Sequence, residues 1–320
     1  MIVDVVIPTY KPGLKFIELM SRLAAQTLPP RKVIVMNTEE KYFSDRILQQ
    51  MGEKAAKLLE VHHIRKEDFD HGHTRNVGVS YSDAPFVVLM TDDAIPKDRE
   101  LLHDLMAPFS DPTVGAVYAR QLAGKDARIQ ERFSRDFNYP DKSEKKTLAD
   151  LDRLGIKTFF CSNVCAAYRR SCFDTFGGFV ERAIFNEDMV YAAKLIDNGL
   201  AVYYAANAGV IHSHAYSNSM QFRRNFDLAV SQAMHPEVFG RVKSESEGLK
   251  FVLRAFGYFT KHGRPLAIVP FLLTSVNKYA GYRKGKNYRN LSREQILRYT
   301  MNPGFFERMW KEEDRGKNDR

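Results

Sequence analysis

Two adjacent carboxylates, Asp92 and Asp93, follow the apolar run 86–90 in the segment FVVLMTDDAIP. A short run that is apolar at every position reads as a strand covered on both faces of a parallel sheet. Ligands of open α/β sheets bind beyond the carboxyl ends of such strands. Placed there, the pair suits a divalent metal or a phosphate-bearing ligand; the structural alternative is an N-cap for a helix over 97–106. A second acidic pair, Glu187 and Asp188, opens the helical stretch MVYAAKLIDN, which Gly199 closes. Negative charge at that position complements the helix dipole. A carboxylate fixed there can equally take the proton of an attacking hydroxyl. His212 and His214 follow another apolar run. Together with a carboxylate, an imidazole suits Mg²⁺ or Mn²⁺ and leaves coordination positions for phosphate oxygens. If the strand continued through both histidines they would point to opposite faces, so one of them is expected to reach a metal held by Asp93.

A third polar cluster, FDHGHTRN, brings His71, His73, Arg75 and Asn76 together just ahead of a short helix over 77–81. Arg75 fits a diphosphate or acceptor contact, or anchors the loop by pairing with Asp70. The turn PTYKPG after the first strand lacks a dinucleotide glycine fingerprint, and no Walker A sequence occurs. A bound nucleotide must therefore be held by side chains and a divalent metal.

Strands and helices in alternation must position these groups. Strands are expected over 2–8, 32–36, 61–64, 86–90, 114–119, 159–168 and 200–205, and helices over 14–25, 43–59, 189–198 and 218–234. This order predicts an α/β fold, a mostly parallel central sheet with helices on both faces. The clusters Thr9-Tyr10, Asn37 to Glu40, Asp92-Asp93 and His212 to His214 then fall at strand ends along one edge. Residues 120–154 are highly charged without a clean period and are expected to form a mobile or loosely packed insertion. Beyond 234 the texture changes. Apolar and aromatic residues interleave with Lys and Arg over 249–259 and 265–279, which reads as two amphipathic helices, the second kinked at Pro270. A polar tail is expected from 287. The division is a catalytic domain over 1–235 and a helical region over 236–320.

The 320 residues, 44% of them apolar, suffice for a sizeable core. The cysteines Cys161, Cys165 and Cys172 form no disulfide frame and fit a reducing compartment. The chain carries a net charge of +9, and residues 241–290 alone hold 11 Lys or Arg against 2 acids. The basic excess is thus a local patch. No apolar run reaches the roughly 20 residues of a membrane span, and no signal peptide is expected ahead of the first strand. No nucleic-acid-binding module is recognisable, so nucleic acid is not an expected partner.

The pieces VVIPTY, HGHTRNVG, TDDAIP, FNEDMVYAAKLIDNG and HSHAYS, in this order, resemble a family-2 inverting glycosyltransferase of GT-A fold. AGYRKGK also resembles a C-terminal feature of the bacterial rhamnosyltransferase branch. The resemblance spans about residues 3–290. It implies that Pro8, Thr9 and Tyr10 line a nucleotide pocket, with Asn37 and Glu39 near the base or ribose. His71, Arg75, Asn76, Asp92 and Asp93 would complete the nucleotide-sugar contacts. Asp93 matches the last Asp of the DXD motif and would bind metal with His212, His214 being the weaker match. Asp188 matches the general base, with Glu187 beside it toward the acceptor. Two positions depart from the family pattern: Thr91 stands where DXD begins, and Asn37 replaces the commoner Asp.

The implied reaction is metal-dependent, inverting transfer of L-rhamnose from dTDP-β-L-rhamnose, with Mn²⁺ or Mg²⁺. The implied acceptor is a saccharide linked to polyprenyl diphosphate, in cell-surface polysaccharide synthesis. The expected location is cytoplasmic, on the anionic inner face of the membrane, with a homodimer as a further expected assembly. The alternatives are transfer from another nucleotide sugar such as a UDP-hexose, a nucleotidyltransferase, or an inactive binding protein on a similar sheet.

Overall fold

The computed structural model describes residues 1–214, 216–242 and 245–318. Among the described residues nine strands form one sheet: β1 (Val3–Tyr10), β2 (Val33–Thr38), β3 (Leu59–Ile64), β4 (Phe86–Met90), β5 (Ile95–Pro96), β6 (Val114–Leu122), β7 (Glu144–Lys146), β8 (Cys165–Arg169) and β9 (Ala201–Ile211). Their order is β3-β2-β1-β4-β8-β6-β9-β5, with β7 paired to β9. The half β3-β2-β1-β4 is parallel throughout. β8 runs antiparallel to both β4 and β6, and β9 runs parallel to β6. Two reversals restore direction, so β1, β2, β3, β4, β6 and β9 all point the same way.

β4 is buried at every position, as its uninterrupted apolar sequence requires. Val5, Val6 and Ile7 of β1 are equally enclosed. Each such side chain contributes about 1.5–3 kcal/mol by leaving water. The helix Leu14–Ala24 turns Phe16, Leu19, Met20 and Leu23 onto this sheet.

The chain divides into two compact units. The first comprises Met1–Val180 and Asp188–Ser213 and holds the sheet; the second comprises Glu181–Glu187 and His214–Arg320. The second has its own core of Ile184, Phe226, Val230, Tyr288, Ile296, Phe305 and Phe306. Its long helices Asn218–Met234 and Ile268–Lys286 pack along each other.

Several sequence expectations are corrected. The segment 120–154 is ordered: it contains the end of β6, the helix Ile129–Asn138 and β7, and it buries Phe133, Tyr139 and Lys146. Its structure rests on the distant pairing of β7 with β9, which no local period reveals. The expected polar tail folds into the helices Arg293–Tyr299 and Pro303–Asn318, anchored by Phe305 and Phe306. The expected strand 159–168 shortens to β8, preceded by the 3₁₀ turn Gly155–Phe159. Pro270 lies in the first turn of Ile268–Lys286. No intrahelical partner awaits its missing N–H at that position, so the reason for a kink disappears.

Candidate active site

Because six strands point one way, their carboxyl ends share an edge. Thr9 and Asn37 are register partners there and also bond side chain to side chain, Thr9 Oγ1 to Asn37 Oδ1 at 3.2 Å. Asn37 is completely buried. Its amide nitrogen donates to the Glu39 carbonyl at 3.1 Å and faces His63 Nδ1 at 3.0 Å. These bonds hold the turn in which Glu39 adopts a φ of 68°. An aspartate at this position would lack the amide N–H groups that face these partners. The Glu39 carboxylate accepts from the Lys66 N–H at 2.8 Å and pairs with Lys41 at 3.3 Å. Its titration is lowered chiefly by that backbone bond. Tyr10 is exposed and meets Tyr42 edge-on, with Lys11 over both rings. Pro8 precedes this pair in β1.

The helix His71–Ser80 begins six residues earlier than sequence pattern placed it. Asp70 is its N-cap, accepting from the N–H groups of Gly72 and His73. Arg75 is buried and donates to the His71 carbonyl at 2.9 Å. Asn76 grips the Phe179 backbone from both sides, donating to its carbonyl at 2.9 Å and accepting its N–H at 3.0 Å.

Past β4 the chain turns through Thr91 to Ala94, closed by the Ala94 N–H on the Thr91 carbonyl. The next helix is Leu101–Met106, too far along for Asp92 or Asp93 to cap it. The two aspartates separate. Asp92 lies by the Tyr10 backbone, and burial, with the neighbouring Asp93 charge second, pushes its carboxyl up to about 6. Asp93 instead faces His212, Oδ1 to Nε2 at 3.4 Å.

His212 follows β9, which ends at Ile211, so strand alternation does not govern the two histidines. Its N–H bonds to the Leu122 carbonyl of β6. The other ring nitrogen, Nδ1, lies 3.1 Å from Gln121 Oε1. Arg135 donates to Gln121 Oε1 and, at 2.8 Å, to the His212 carbonyl. The Gln121 amide nitrogen reaches Tyr139 and Ser162. One residue on, the Asn163 N–H donates to Asp188 Oδ2 at 2.9 Å, while the Met189 N–H donates to Oδ1 at 2.8 Å. Thr91 N–H to Val164 carbonyl closes the same corner. A chain of polar contacts within the first unit therefore runs from Asp93 through His212 and Gln121 to the loop that holds Asp188. Glu187 is buried and belongs to the second unit, where His214 begins the following segment and stacks on Tyr216.

Gln121, Arg135, Ser162 and Asn163 were not singled out from sequence. The available signal was a polar Gln inside the otherwise enclosed strand VGAVYARQL.

Residues 4–177 match Glycosyl transferase family 2. The chain belongs to that family. This family-2 glycosyltransferase is 38% identical over 293 residues to the O-antigen chain rhamnosyltransferase RfbN of Salmonella typhimurium, covering 90% of this chain and 91% of the relative. It is 35% identical to the O-antigen chain rhamnosyltransferase WbaN of Salmonella anatum, over 89% and 90% of the two chains. Among solved structures it is similar to the mannosyltransferase PcManGT of Pyrobaculum calidifontis in complex with GDP-Man and Mn²⁺. That match has a TM-score of 0.63 at 16% identity and covers 90% of this chain and 88% of the other. It is also similar to TarS 1-349 of S. aureus in complex with UDP, with a TM-score of 0.51 at 17% identity, over 90% and 91%. These structural likenesses show the GT-A architecture expected from the sequence.

The residues present fit a divalent cation. The carboxylate and imidazole atoms stand 3.4 Å apart, close to the roughly 3 Å between adjacent ligands on one small octahedral ion. The hydrogen bond at the far side of His212 is the kind that orients metal-binding imidazoles.

Proposed function

We propose that this glycosyltransferase moves L-rhamnose from dTDP-β-L-rhamnose to a saccharide acceptor, with inversion at the anomeric carbon. The observation that carries the reading is the polar network linking Asp93 and His212 to the Asp188 loop on one sheet edge. The kinship with two O-antigen rhamnosyltransferases over nine-tenths of the chain supports the choice of sugar.

In this reading Asp188, held by two backbone N–H groups, takes the proton of the acceptor hydroxyl. That oxygen attacks the anomeric carbon from the face opposite the diphosphate, the bond from carbon to diphosphate oxygen breaks, and the β-linked sugar becomes α-linked. Asp93 and His212 would hold Mn²⁺ or Mg²⁺, which when bound offsets charge on the departing diphosphate. Arg75 adds positive charge to that end of the cleft. Thr9 and Tyr10 border the nucleotide, while Pro8, Asn37, Glu39, His71 and Asn76 shape the walls behind it. Asp92 keeps the turn against Tyr10.

The acceptor in this reading is joined to polyprenyl diphosphate and presented at a cytoplasmic membrane face. Among the described residues no helix is long and apolar enough to cross a membrane. The hairpin of Glu245–Lys261 and Ile268–Lys286 nevertheless exposes Phe256, Leu266, Val269, Leu273, Val276 and Tyr279. Lys261 and Arg264 flank that apolar band at one end, and Arg283, Lys284 and Lys286 at the other. Such a face suits an anionic lipid surface. A second subunit on the same face is the competing reading.

The test is a panel of nucleotide sugars offered with and without Mn²⁺ or Mg²⁺, scored by sugar transfer and by nucleotide diphosphate release. Rhamnosyl transfer that requires metal and disappears in Asp188→Asn is expected. Preference for a UDP-hexose would overturn the donor assignment, and full turnover in Asp188→Asn would remove its role as base.

A further inference from the structure

We infer that Gln121, oriented by Arg135, is a positioning residue that decides which nitrogen of His212 faces Asp93. A guanidinium can only donate, so the Gln121 atom turned toward Arg135 must be the oxygen. The amide nitrogen then points to the Tyr139 and Ser162 hydroxyls, both able to accept. The same oxygen lies 3.1 Å from His212 Nδ1. Two lone pairs at that distance would repel, so Nδ1 of the neutral ring carries its proton and donates to Gln121. Arg135 Nη2 also comes within 3.4 Å of Nδ1, but that nitrogen already donates to the His212 carbonyl at 2.8 Å. Of the two oxygens facing the ring, Gln121 Oε1 at 3.1 Å is nearer than Asp93 Oδ1 at 3.4 Å, and the nearer one takes the single proton of the neutral ring.

The consequence lies across the ring. With its proton on Nδ1, His212 presents a bare lone pair on Nε2 to the Asp93 carboxylate at 3.4 Å. Two electron-rich atoms held that close favour any cation placed between them. Gln121 is also pinned at its nitrogen end by Ser162, next to the residue whose N–H holds Asp188. A single buried amide thus sets the imidazole and braces the loop behind the proposed base. The first part depends on hydrogen-bond geometry alone. Only the expected effect on cation affinity rests on the function proposed above.

The experiment uses the full chain labelled with ¹⁵N-histidine. Long-range ¹H–¹⁵N spectra, recorded without metal at a pH where imidazoles are neutral, report the tautomer, and His212→Asn assigns the signal. Mn²⁺ affinity is measured separately by titration calorimetry. The wild-type ring is expected to be protonated at Nδ1. Gln121→Glu keeps an acceptor for both Arg135 and His212, so it should retain that tautomer and the affinity. Gln121→Met removes the acceptor, so its spectrum should show a mixture and its affinity should fall about 10- to 100-fold.

A wild-type ring protonated at Nε2 overturns the inference, and so does a folded Gln121→Met protein with unchanged tautomer and affinity. If Gln121→Met does not fold, the wild-type and Gln121→Glu spectra decide. If the tautomer behaves as stated but no variant binds Mn²⁺, the positioning role stands and the metal reading falls.

Discussion

Asp92 and Asp93 are neighbours in sequence with different partners in space. Asp92 is turned to the Tyr10 backbone and Asp93 to His212. Asp92→Asn leaves the Asp93–His212 pair intact, so it should lower kcat less than about 10-fold. Asp93→Asn should weaken Mn²⁺ binding and turnover by about 100-fold or more. Parallel titration calorimetry and initial rates check both, and equal losses would show that the two carboxylates act together. Tyr191 makes a different residue-scale point. Its hydroxyl is buried among the rings of Tyr168, Phe173 and Phe179, without a hydrogen-bond partner among the described residues. Removing an unsatisfied polar group costs nothing in lost bonds, so Tyr191→Phe should leave stability unchanged or raise it by about 1 kcal/mol. A melting temperature lowered by several degrees would contradict this. Lys146 is enclosed beneath Tyr118, with its amine on the carbonyls of Lys157 and Phe160. Burial lowers its pKa to about 7. Between about pH 7 and the ordinary lysine range near 10, the unfolded chain binds the proton and the folded chain does not. Stability from this group therefore rises with pH across that window. Urea titrations should show the rise in the wild type and its loss in Lys146→Met.

At the scale of elements, the helices Asn218–Met234 and Ile268–Lys286 depend on a close crossing. A Cβ on Gly281 would lie 2.1 Å from the Phe222 carbonyl oxygen, and one on Gly285 would lie 2.2 Å from that of Phe226. The two glycines, four residues apart on one face, let the backbones touch. The motif AGYRKGK thus has a packing reason that its basic residues conceal. Gly281→Ala or Gly285→Ala should cost about 1–3 kcal/mol, because the helices must separate or shift. Denaturant unfolding of the single variants reads this directly, and an unchanged midpoint would show that the crossing can relax. A polar anchor holds the same helix from another side. Asp227 accepts from Thr300, the Met301 N–H and Asn302, tying Asn218–Met234 to the chain between the last two helices. Burial pushes its carboxyl up to about 6 despite those three donors.

At the scale of the molecule, charge is segregated: the basic excess of the chain lies within residues 241–290. Binding to vesicles with anionic lipid should accordingly weaken as salt rises, and should fall sharply when Phe256, Val269 and Leu273 become Ser. Co-sedimentation with neutral and anionic vesicles separates the two contributions. Loss of dimerisation without loss of vesicle binding would assign the face to a second subunit instead.

The sequence alone determined the alternation of strands and helices, and with it the sheet edge where Asp93 and His212 meet, because burial on both faces writes an uninterrupted apolar run into each central strand. It also carried the family resemblance, since the motifs lie at strand ends and helix starts whose order is the fold. Tertiary structure alone decided that Asn37 and Asn76 spend their amides on backbone, that Asp92 parts from Asp93, and that 120–154 is packed. It alone brought Gln121 and Arg135 onto His212. Apart from the local bond of Asn37 to Glu39, those outcomes rest on distant contacts, such as Asn76 with Phe179 and His212 with Gln121 and Arg135, 103, 91 and 77 positions apart, and hydrogen bonds over such distances leave no period in the local sequence.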